Sequence, residues 1–418
     1  MKMMRRYWLI LIITLGLLHP IGAAQADGLT FNALSASYQF ADQITFTAAV
    51  SGPSPVTRAT VFFQSGSQPP YSHPADSFTP ATSIILTATI DLKETKLIPF
   101  STVSYWWEVV DRAGGTARSE TKTLIYVDNR FAWQDLTAGP VRVHWYQGDS
   151  GFGSAAAGAA SEALPRIQQQ IGVEPPSPLD VYVYASTADL RSAVELAGRE
   201  WLGGQARPEL GVVLVAIPPG DSARLQMRRD IPHELTHLMT FVATTPNYGS
   251  APRWLDEGLA TLNEGDPNST QAIAVQDAAA KNKLLPIENL CGTFPTDASA
   301  ALLAYGESRS VVQQIINEYG SAGVQALLAA YRDGATCEGG VERALNTSLT
   351  GLEVKWRAQL QPNASNPTIP TTSSPSTGIL PWLLLIAVIV LPLIVILLWR
   401  SPQKRDKMTR RQDDKTAR

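Results

Sequence analysis

Residues 233–237 read His-Glu-Leu-Thr-His. On a helix, positions four apart share a face, so His233 and His237 point the same way. Two imidazoles at that spacing reach one Zn²⁺ at about 2.0–2.1 Å. Glu234 stands next round the helix, beside the open coordination position. There it takes a proton from a water held by the ion and passes it to a leaving group. A tetrahedral catalytic site needs a third protein ligand. No histidine follows His237, so that ligand is a carboxylate, or a histidine from upstream. The stretch Pro252-Arg253-Trp254-Leu255-Asp256-Glu257-Gly258-Leu259-Ala260 offers Glu257, with nineteen residues between it and His237. Glu264 follows two helical turns later on the same face and suits a hydrogen bond to the outer nitrogen of a ligating histidine. Two of only five histidines fall in this motif, which disfavours a chance pairing on an ordinary helix.

The elements that position these residues follow from periodicity. Either Asp230 caps the histidine helix with Pro232 in its first turn, or Pro232 kinks a longer helix that starts near Ser222. Across residues 130–360, Val141–Tyr146, Leu179–Tyr184 and Gly211–Ile217 read as strands, with Ala155–Gln170 and Ala188–Arg199 as helices between them. From 222 to Leu360 the helical pattern dominates, an α+β layout. Residues 27–129 alternate apolar and polar in short runs such as Ile44–Ala48, Ile84–Ile90 and Val103–Val109. Turn-rich clusters separate the runs, as in an all-β sandwich. Tyr105–Gly115 resembles the penultimate hairpin of immunoglobulin- or fibronectin-like domains, with Trp106 and Trp107 expected as one surface and one core residue.

H-E-x-x-H followed by W-L-x-E-G-L-A resembles the gluzincin metallopeptidases. From about 140 to 360 the chain is similar to the bacterial peptidase MA-like domains, including Gly339–Leu345 and Trp356–Leu360. The resemblance implies a zinc metallopeptidase with one Zn²⁺ per chain. His233, His237 and Glu257 would be its ligands, Glu234 its general base, and Tyr305, in Ala-Tyr-Gly-Glu-Ser, a donor to the transition-state oxyanion. Alanyl-type aminopeptidases carry a G-x-M-E-N segment that holds the substrate amine, and none is present here. The strand Gly211–Ile217 carries no acid and is expected to offer its edge to an extended peptide. Both points favour an endopeptidase acting on peptide or protein substrates. The alternative is a surface binding or adhesion protein on a non-catalytic peptidase-like scaffold.

The ends of the chain account for its charge. The 418 residues carry a net charge of −3, and 17% are charged. The near-neutral total argues against nucleic-acid binding through bulk positive charge. Residues 1–26 read as a signal peptide: Lys2, Arg5 and Arg6, then an apolar run, then Ala24-Gln25-Ala26. Residues 361–378, rich in Pro, Ser and Thr, form a stalk. Residues 379–399 are uncharged and long enough for a transmembrane helix, with Trp382 and Trp399 near its ends. The tail 400–418 has eight Lys and Arg against three Asp, so positive-inside bias puts it in the cytoplasm. What remains between, residues 27–399, carries 23 basic and 34 acidic groups, an acidic extracytoplasmic body on a single-pass cell-membrane anchor. Cys291 and Cys337 both lie in that body and are expected to pair in an oxidising compartment.

Overall fold

A computed structural model describes residues 28–194, 204–247, 250–265 and 269–360. The expected signal peptide, stalk, membrane span and tail lie outside the described residues. Among those described, no helix is long and apolar enough to cross a membrane.

The chain begins with β1 (Thr30–Gln39), β2 (Gln43–Ser51), β3 (Val56–Ser65), β4 (Tyr71–Pro74), β5 (Ser83–Asp91), β6 (Thr102–Asp111), β7 (Thr116–Arg118) and β8 (Lys122–Ile125). One antiparallel sheet has the order β1-β2-β5; the second runs β4-β3-β6-β7, with β8 also pairing β6. Alternation decides what lies between them. Ile44, Phe46, Ala48 and Val50 of β2 are buried, as are Val61 and Phe63 of β3 and Tyr105, Trp107 and Val109 of β6. Trp106 turns outward and stacks on Phe62, ring centroids 5.5 Å apart, with Arg118 over its other face.

The chain then runs through β9 (Gln134–Ala138), β10 (Val141–Trp145), α1 (Ser150–Ile171), β11 (Leu179–Tyr184), α2 (Thr187–Val194), β12 (Gly204–Arg207) and β13 (Val212–Ala216). Helices follow: α3 (Ala223–Thr244), α4 (Arg253–Asn263), α5 (Ser269–Ala280), α6 (Ala298–Arg332), α7 (Cys337–Leu345) and α8 (Leu349–Leu360). The third sheet has the order β12-β13-β11-β10-β9. β10, β11 and β13 are parallel, and β9 and β12 pair antiparallel at the two edges.

This places β13 inside the sheet, between β11 and β12. The expectation that Gly211–Ile217 offers an edge is therefore corrected: β12 takes up the main-chain groups on that side and, among the described residues, itself stands at the edge.

Burial of both faces of the central strands gives them near-continuous apolar sequences. In β11, Leu179, Val181 and Val183 join a core with α1, α3, α4 and α6. Tyr182 and Tyr184 face the other way and join the core of the sandwich. Phe100 meets Tyr182 with centroids 4.5 Å apart. At the crossing, Arg130 pairs with the buried Asp128 at 2.5 Å, and the Tyr184 hydroxyl donates to the same carboxylate at 3.1 Å. The sandwich and the α+β part thus share an apolar cluster and a buried ion pair.

Candidate metal centre

α3 is the longer of the two expected helices, starting after Ser222 with Pro232 inside it. A proline in a helix interior lacks the N–H that would bond the carbonyl four residues back, here that of Arg228. That carbonyl instead accepts from Gly265 N at 2.8 Å. The chain leaving α4 is thereby tied to α3 directly beside the histidines. A Cβ on Gly265 would lie 3.0 Å from the same oxygen, so the docking is close.

α4 meets α6 just as closely. A Cβ on Gly258 would stand 2.5 Å from the Ser308 carbonyl. Only glycine permits this approach, and it brings Glu257 and Tyr305 into one neighbourhood. The start of α4 is held by its Arg253 N–H, which donates to the Cys291 carbonyl at 3.0 Å. Cys291 is disulfide-bonded to Cys337 at the start of α7, with Cα atoms 6.1 Å apart.

Around these contacts three donor atoms form a triangle. His233 Nε2 and His237 Nε2 are 3.2 Å apart, and each is 3.5 Å from Glu257 Oε2. A tetrahedron with arms of about 2.1 Å has edges of about 3.4 Å. The three atoms therefore stand where three corners of a zinc site belong.

The partners of these side chains fix which atoms are free. His233 Nδ1 donates to Glu264 Oε1 at 3.0 Å, and His237 Nδ1 donates to Asp256 Oδ1 at 2.9 Å. A carboxylate oxygen only accepts, so both protons sit on Nδ1 and both Nε2 lone pairs face the triangle. Arg253 takes the other oxygen of Glu257 at 2.5 Å. Glu257 Oε2 is buried with no hydrogen-bond partner. Two lone pairs and an orphaned carboxylate oxygen, all aimed at one point, are a donor set for a cation.

The electrostatics agree. Burial opposes charge on His233, yet Glu257 and Glu264 outweigh it and hold the ring up at about 9. Burial likewise opposes charge on His237, and Asp256 and Glu257 raise it well above the usual histidine range. Against its own burial, Glu257 is held well below the carboxylate range by His237 and His233. The site gathers positive charge, so a proton and a metal ion compete for it. Burial pushes Glu234 upward against the pull of His237 and His233.

His233, Glu234 and His237 lie on α3, Glu257 on α4, Glu264 just after it, and Tyr305 on α6. Tyr305 lies within hydrogen-bonding reach of Arg253, and burial followed by the Glu257 charge raises its hydroxyl. Its ring meets Phe294 edge-on at 5.2 Å. The cysteines stand apart from the triangle and act through the start of α4. Asp256 and Arg253 were missed in the sequence. Arg253 stands four residues before Glu257 on one helix face, a spacing that could have revealed it.

The sequence profile of the Peptidase MA superfamily matches residues 159–362, which supports a peptidase-like hydrolase domain over this stretch. No curated protein matches the chain. Among solved structures, an M1 zinc metallopeptidase from Deinococcus radiodurans is 13% identical, with 84% of this chain and 97% of that chain covered and a TM-score of 0.33. An aminopeptidase N family protein from Idiomarina loihiensis is 7% identical, with 84% and 75% covered and a TM-score of 0.34. OgpA from Akkermansia muciniphila, in complex with an O-glycopeptide, is 16% identical, with 23% of this chain covered and a TM-score of 0.19. The chain spans 28% of that protein's length.

Proposed function

We propose that the chain is a zinc-dependent metallopeptidase, an endopeptidase of the gluzincin kind, exported by residues 1–26 and anchored by residues 379–399. The observation that carries this reading is the triangle of two Nε2 atoms and Glu257 Oε2, with edges of 3.2, 3.5 and 3.5 Å.

His233, His237 and Glu257 would hold the ion. Zinc, when bound, supplies a Lewis acid that polarises the scissile carbonyl and acidifies water. The chain's own groups do the rest. Glu234, buried and raised in pKa, takes the proton of the attacking water and delivers it to the leaving amine. Tyr305 donates its hydroxyl to the oxyanion that develops on the carbonyl. Arg253 and the two carboxylates behind the histidines keep the donor atoms aimed. The edge strand β12 offers its outer main-chain groups to an extended substrate, which holds a peptide without gripping its free amine.

Digestion of N-terminally blocked peptides tests the proposal. The wild-type chain cleaves them internally, and Glu234→Gln abolishes cleavage with zinc retained. A fully active Glu234→Gln overturns the mechanism, and activity confined to free N-termini overturns the endopeptidase assignment. Tyr305→Phe is expected to lower kcat with little change in KM, because its hydroxyl serves the transition state.

A further inference from the structure

Beside the histidine helix lies a cavity of about 570 Å³ bounded by α1, α3, α4 and α6. Three guanidinium groups line it: Arg166 from α1, Arg228 from α3 and Arg309 from α6. Glu162 and Glu264 are the acids on its wall, and Glu264 already accepts from His233. Arg166 donates to the Asn263 carbonyl at 2.9 Å. Among the described residues, neither Arg166 nor Arg309 forms an ion pair with a carboxylate. The Nε of Arg309 is buried and has no hydrogen-bond partner.

A buried guanidinium N–H without a partner costs free energy that a paired one does not, and Arg309 carries one at Nε, whereas Arg166 is exposed and keeps its bond to Asn263. A planar fork of N–H donors also matches the oxygens of phosphates and carboxylates. The guanidinium groups of Arg166 and Arg309, from helices far apart in sequence, line one solvent-reachable cavity. We propose that this cavity is an anion-binding site for a small oxyanion-bearing molecule, bound by Arg166 and Arg309 with Arg228 beside them. Glu264 belongs both to the cavity wall and to the His233 hydrogen bond, so an anion here would lie near the residue that aims a metal-binding ring. Coupling between two such sites is reciprocal.

The test is calorimetric titration of the full chain with inorganic phosphate and, separately, with succinate. The two arms distinguish a phosphate from a carboxylate ligand. Saturable binding is expected in at least one arm, with Kd of about 1 mM or tighter. Arg309→Gln should weaken it by about tenfold or more, through loss of one guanidinium fork. Gln313→Glu, from the same wall, installs an internal carboxylate. It should abolish binding while raising Tm in the absence of anion, so the proposal survives a poorly folded Arg309→Gln. Glu234→Gln should bind the anion as wild type does, which separates this site from the peptidase reading. Absence of saturable binding in both arms, or equal binding by wild type and Gln313→Glu, overturns the proposal.

Discussion

His237 leans on Asp256 and His233 on Glu264, so a carboxylate fixes the tautomer of each ring. Asp256→Asn is expected to weaken zinc binding by about 10–100-fold with the fold intact, read by competition with a chelator. Unchanged affinity would remove Asp256 from the account. Glu307 is a separate buried acid whose oxygens accept from Leu285 N at 3.0 and 3.2 Å. Burial pushes it up to about 8, far above an unfolded glutamate near 4.3. A group raised in the fold contributes stability that is complete below the unfolded value and lost as pH rises through the folded one. Wild-type stability should therefore fall between pH of about 4.5 and about 8, and Glu307→Gln should flatten that slope. Denaturant titrations across that range check it, and parallel slopes would contradict it. At this scale the pairing of His233 and His237 was legible, because four-residue helical spacing puts both on one face, and Glu257 was singled out through the W-L-x-E-G-L-A stretch. Asp256 was not, because its partner stands nineteen positions back on another helix.

Two close approaches between helices make the site. Pro232 releases the Arg228 carbonyl to the Gly265 N–H, and this bond anchors the chain just after Glu264. Pro232→Ala restores a competing N–H inside α3. Faster hydrogen exchange at Gly265 and weaker zinc binding are expected, and unchanged exchange there would show that the proline is incidental. Gly258→Ala forces a Cβ against the α6 backbone and should cost about 1–3 kcal/mol, measured by denaturant titration. The sequence offered two starts for the histidine helix, because Pro232 suits a first turn as well as a kink. Tertiary packing decides: Ala223, Met227 and Ile231 are buried in the core, which rewards extending the helix backward. β12 escaped notice because four residues are too few to show alternation, and that hid the true edge of the sheet.

At the scale of the molecule, the sandwich was legible from period-two patterning, since each of its sheets buries one face. Its union with the peptidase part was not, because Tyr182 and Tyr184 read as ordinary strand residues. Both enter the sandwich core. The two parts should therefore unfold in one cooperative transition. Phe100→Ala, which removes a contact across the junction, should cost about 3–5 kcal/mol and shift near-ultraviolet and far-ultraviolet signals together. Two separated transitions would contradict a shared core. The whole account rests on the triangle of His233, His237 and Glu257 holding a metal ion. Zinc stoichiometry of the purified chain by elemental mass spectrometry tests that most directly. About one zinc per chain is expected, lost in His233→Ala, His237→Ala and Glu257→Ala and kept in Glu234→Gln. A zinc-free wild-type chain that stays zinc-free after incubation with the ion, or full zinc content in the three ligand variants, would contradict it.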